Sequence, residues 1–206
     1  MDNASAVVAA LLGLVGLAAA ATRKASAPSS PSSPSGASMS QIQRLTQAFA
    51  AAGVSDFSPE EFLLLRKWNQ LAQMPEEYEP NLVALAVQAQ ALRDRLGLPV
   101  AVRNGYRSPA YNAAVSGAPN SAHLRGAAGD FEVVSAAKTA ESGRRIQVEG
   151  AKLWLLRPSA LAGLGVYQGG RVHLDVVHPG GQGRRSWGSG DLSGVVSEAQ
   201  AELGQA

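Results

Sequence analysis

The hydrophobic pattern changes period at Gly97-Leu98-Pro99, and that change restricts the chain to folds that join helices to strands. Before it, apolar side chains recur at helical spacing. Ile42, Leu45 and Phe49 predict a helix over 41–52 that stops at Gly53. Ser58, Pro59 and Glu61 form a capping signature, with Ser58 as N-cap and Glu61 placed to bond back, so a second helix is expected over 59–71. Leu82, Leu85, Ala86, Ala89, Leu92 and Leu96 mark one face of a third, stopped by Gly97 and Pro99. These stripes read as core. Beyond Pro99, segments 100–103, 130–134, 164–167 and 171–176 read as short strands, with Gly169-Gly170 making the tight turn between the last two. Residues 136–156 have room for one or two helices. The expected class is α+β, with helices packed on a small, mainly antiparallel sheet.

At 206 residues the chain has room for one ordinary domain and an appendage. Residues 6–21 are an unbroken apolar run, close to the lower limit of a membrane-spanning helix. Asp2 precedes the run while Arg23 and Lys24 follow it, the reverse of the charge order of a secretory signal. Residues 1–25 are therefore expected to be a membrane anchor or an uncleaved signal, the alternative being an Ala-rich helix that packs on protein. Residues 26–40, nearly all Ser, Pro, Ala and Gly, are expected to be a linker. The domain is expected over 41–190, with a tail or short helix over 191–206.

Eighteen basic against sixteen acidic side chains leave a formal charge of +2, too balanced for a nucleic-acid binder. There is no cysteine, which excludes disulfide frameworks and thiol nucleophiles and leaves any metal to His and carboxylates. Histidine is scarce, and only His123, His173 and His178 are present. His123 stands in a loop and Asp130 at a strand start, with the small residues 126–129 between them. That spacing suits two ligands of one cation and equally a capped loop with a buried Asp. In Val172-His173-Leu174-Asp175-Val176, alternation puts His173 and Asp175 on one strand face, which is a site or a solvated polar face. Arg107 leaves a strand through a turn shaped by Gly105 and Pro109, where a guanidinium can hold a carboxylate or a developing oxyanion.

In order, these pieces read G-Y-R-S-P-x-Y-N, S-x-H-x-x-G-x-A-x-D, and a G-x-G-V-Y hairpin leading into V-H-x-D. The series resembles the zinc D-Ala-D-Ala carboxypeptidase and endopeptidase family, which shares its fold with the hedgehog signalling domain. The resemblance runs over about 57–187, including D-F-S-P-E-E-F-L at the front and R-R-S-W-G at the back. It implies a hedgehog/DD-peptidase-like fold with His123, Asp130 and His173 as Zn2+ ligands and Arg107 binding or polarising the scissile carbonyl. The implied substrate is the peptide of peptidoglycan, and the implied place of action is the cell wall, reached by anchoring or export or as part of a phage virion or lysis system. Many relatives carry Asp or Glu three residues before the last histidine ligand, where this sequence has Gly170. Asp175 is the first substitute as catalytic base or as partner orienting a ligand, and Glu132 the second. A third option makes His178 the ligand, with Asp175 three residues before it. The same features fit a second class, a non-catalytic zinc-stabilised module that binds wall peptides or a protein.

Overall fold

The computed structural model describes residues 39–178, 181 and 183–205. The apolar run of 6–21 and most of the expected linker lie outside the described residues. No helix among the described residues is long and apolar enough to cross a membrane.

Among the described residues, six α-helices and seven strands follow in the order α1 (Met39–Ala51), α2 (Pro59–Leu63), β1 (Leu64–Leu65), β2 (Gln70–Leu71), α3 (Glu79–Leu96), β3 (Val100–Asn104), α4 (Pro109–Ala114), β4 (Ala128–Val133), α5 (Ala140–Leu156), β5 (Leu161–Tyr167), β6 (Arg171–Val176), β7 (Arg185–Gly188) and α6 (Leu192–Gly204). The main sheet has five strands in the order β3-β4-β6-β5-β7. Its first four are antiparallel, while β7 runs parallel to β5. The fold is α+β, as the change of period requires.

The expected helix over 59–71 is cut short. Glu61 accepts from the Ser58 backbone N–H at 2.9 Å and starts α2, but Leu64 turns extended (φ −70°, ψ 113°) and the chain reverses as a two-stranded hairpin. The tertiary partner explains it. Phe62 is fully buried, its carbonyl accepts from Tyr106 N–H at 2.8 Å, and the Leu63 carbonyl accepts from Ala72 N–H at 2.8 Å. Backbone bonds to distant segments replace the next helical turn.

One face of the sheet is apolar. Phe131 and Val133 of β4, Val172, Leu174 and Val176 of β6, and Leu164 and Val166 of β5 are buried there in one core with residues of α3 and α5. The alternate positions form a polar face, since Asp130 pairs in register with His173, Glu132 with Arg171, and Gly165 with both His173 and Trp187. α6 docks on α5 through buried Val195 and Ala199 and through Arg144, which meets Glu198 at 2.8 Å and Asp191 at 3.1 Å. The site therefore lies on the polar face, held from behind by an apolar core.

Candidate metal centre

Three elements bring the donors together. His123 sits in a 3-10 turn (Ala122–Arg125) after α4, Asp130 inside β4 and His173 inside β6. The turn is tied to the loop after β3, because Arg107 N–H donates to the His123 carbonyl at 3.0 Å. All three side chains are buried, and one donor atom from each lies within 4.8 Å of the others. The His123 and His173 rings stand edge to face with centroids 5.0 Å apart.

Each donor is aimed by an outer partner. His123 Nδ1–H donates to the Gly105 carbonyl at 2.7 Å, which leaves the Nε2 lone pair pointing toward Asp130 Oδ2 at 3.7 Å. Burial pushes the pKa of His123 down to about 4, so the ring is a neutral donor. His173 Nδ1 meets Asp130 Oδ1 at 2.8 Å, and its Nε2 meets Asp175 Oδ1 at 2.5 Å. Burial opposes the charge on His173, yet the bonds to Asp130 and Asp175 prevail and raise its pKa to about 9. Burial likewise opposes the charge on Asp130, but His123, His173 and Arg107 keep its carboxyl well below the usual range. Asn104 Nδ2 adds a bond to Asp130 Oδ2 at 2.7 Å. Two imidazoles and a carboxylate with outer partners on their far sides are the donor set of a catalytic zinc, and the residues fit that ion.

The sequence-derived substitutes for the missing carboxylate separate clearly. Asp175 is buried with both oxygens engaged, one by His173 and the other by Arg185 of β7. Glu132 shares the sheet face with Asp130 but is held by Arg103 and, at 3.1 Å, by Lys138; these contacts lower its pKa against the effect of burial. His178 is outside the clustered donors. Gly170 has φ 75°, and a Cβ there would stand 2.5 Å from Gly143 Cα in α5. No side chain fits that turn without moving the helix. Gly170→Glu is thus expected to give no gain in activity and to lower stability by about 1–3 kcal/mol, read by chemical denaturation.

The centre opens into a cleft of about 380 Å³. Arg107 lines it with its Nη2 3.3 Å from Asp130 Oδ2, while its buried Nε has no partner among the described residues. Tyr167, Arg171, Arg185 and Trp187 complete the wall. Arg185, Trp187, Tyr167 and Asn104 were not assigned roles from sequence, because their places depend on strand register; the signal nearest to hand was R-R-S-W-G itself. Gly163 supplies the space for Arg185 and Asp175 to meet, since a Cβ there would lie 2.3 Å from Asp175 Oδ2.

The model of a family described as Peptidase M15 matches residues 55–153, a span that includes Arg107, His123 and Asp130. Over that span, a little under half of its length, the chain is similar to the Peptidase M15 family. Peptidase M15 enzymes are zinc-dependent metallopeptidases, and the donor set described above agrees with that chemistry. The match ends inside α5, and His173 and Asp175, beyond it, meet His123 and Asp130 through the pairing of β6 with β4 and β5. None of the curated proteins matches the chain.

Proposed function

We propose that the chain is a zinc-dependent peptidase that hydrolyses peptide bonds of peptidoglycan, as a D-Ala-D-Ala-type carboxypeptidase or a cross-link endopeptidase. One observation carries the reading: three buried donors, His123, Asp130 and His173, converge at the floor of an open cleft with each imidazole already aimed. Bound there, zinc supplies Lewis acidity toward a carbonyl and lowers the pKa of water. The chain's own groups do the rest. Arg107 offers an unpartnered Nε beside the ligands and holds the scissile carbonyl. Asp175 fixes the orientation of His173, and Arg185 fixes Asp175. Residues 1–25 deliver the domain to the wall as an anchor or export signal, or the chain travels within a phage particle.

The engaged oxygens of Asp175 and the glycine at 170 favour a second reading, in which the zinc-stabilised domain binds wall peptides without cutting them. One experiment separates the two. The purified chain is expected to carry about one zinc per molecule and to release peptide fragments from peptidoglycan, with mass spectrometry of the digest reporting bond and stereochemistry. Chelation is expected to stop release and lower the melting temperature. A chain that retains zinc and binds peptidoglycan but releases nothing supports the binding module, and a metal-free chain of unchanged stability overturns both.

A further inference from the structure

The Tyr167 hydroxyl stands beside the clustered donors and is held by a neighbour. Tyr167 ends β5 and lines the cleft with Arg107, Asp130, His173 and Trp187. The Trp187 indole, whose ring lies 5.0 Å from that of His173, donates its Nε1–H to the Tyr167 hydroxyl oxygen at 2.9 Å. An indole nitrogen only donates, so the phenol oxygen is the acceptor in this bond and its own hydrogen remains to be given. Among the described residues no bond places that hydrogen on an acceptor. Burial, assisted by Asp130 and Asp175 nearby, raises the pKa of the phenol, so it keeps its proton at neutral pH.

The position within the sheet gives this donor a direction. In the order β3-β4-β6-β5-β7, Asp130 and His173 lie on the two central strands. Arg107 reaches them from the β3 side and Tyr167 from the β5 side, so two donors flank the ligands. A packing tyrosine would need only its ring at this position. Here a tryptophan N–H is used to orient the hydroxyl.

We propose that Tyr167 is a catalytic hydrogen-bond donor, its hydroxyl aimed by Trp187 at the scissile carbonyl oxygen as that oxygen takes on negative charge, opposite Arg107. The inference rests on the peptidase reading, and its test has one arm that does not depend on it. Tyr167→Phe removes a single oxygen and keeps the ring. In the zinc-loaded full chain, calorimetry is expected to show methylphosphonate, a small tetrahedral oxyanion, binding about 10-fold more weakly to Tyr167→Phe than to wild type, with zinc content unchanged. Trp187→Phe, which leaves the hydroxyl but not its guide, is expected to give a smaller loss in the same direction. On cross-linked muropeptides, Tyr167→Phe is expected to lower kcat by roughly 10²-fold with KM nearly constant, the pattern of a contact made in the transition state. Equal affinity for methylphosphonate in wild type and Tyr167→Phe, or no binding by wild type, overturns the assignment. So does an unchanged kcat in an active chain. If wild type cuts no muropeptide while the anion affinities differ as expected, the peptidase reading falls and the oxyanion donor stands.

Discussion

His173→Ala is expected to strip the chain of zinc and to abolish peptide release, with a larger loss than the roughly 10–100-fold that removal of an outer partner costs. His173 is the hub of the centre, since its two nitrogens meet Asp130 and Asp175, and its ring stacks edgewise on both His123 and Trp187. Removing it leaves two carboxylates buried with like charge and without the imidazole between them. Arg107 and Arg185 remain beside them, but loss of the buried partner they share is expected to cost about 3 kcal/mol in the metal-free chain, which denaturant unfolding in the presence of chelator would read. Zinc is measured on the same preparations by atomic emission. Retention of one tightly held zinc by His173→Ala would remove this residue from the ligand set.

Asp175→Asn divides the two roles that the sequence left open. As a partner that orients His173, Asp175 acts on the metal, and the amide is expected to weaken zinc affinity by roughly 10–100-fold while zinc-saturated protein keeps most of its turnover. As a proton acceptor it acts on the reaction, and the variant would hold zinc normally yet turn over little. The bonds of Asp175 to His173 and Arg185 favour the first outcome. Competition with a graded series of chelators gives the affinity, and activity at saturating zinc gives the turnover.

The elements that sequence made plain are those whose signal is local. α3 carries its core stripe and a glycine stop, and β6 alternates cleanly, so both appear where periodicity puts them. The hairpin that replaces the second half of the expected helix over 59–71 was hidden because its cause is distant: the Phe62 and Leu63 carbonyls bond to Tyr106 and Ala72. β7 was hidden for a different reason. Arg185-Ser186-Trp187-Gly188 has little apolar alternation of its own and becomes a strand by pairing in parallel with β5. The site divides along the same line. His123, Asp130, His173 and Arg107 were legible as ordered motifs, whereas Tyr167, Asn104 and Arg185 acquire meaning only from register, which puts Gly163 opposite Arg185 and Asn104 opposite Asp130.

The donors and the wall of the cleft come from different stretches of chain. His123, Asp130 and His173 all precede residue 177 and are brought together by β4 and β6, whereas Arg185 and Trp187 arrive on β7, which pairs with the outer side of β5. Holding an ion and gripping a ligand are therefore separable in this sheet: changes confined to β7 alter the cleft and the support of Asp175 while leaving the three donors on their own strands.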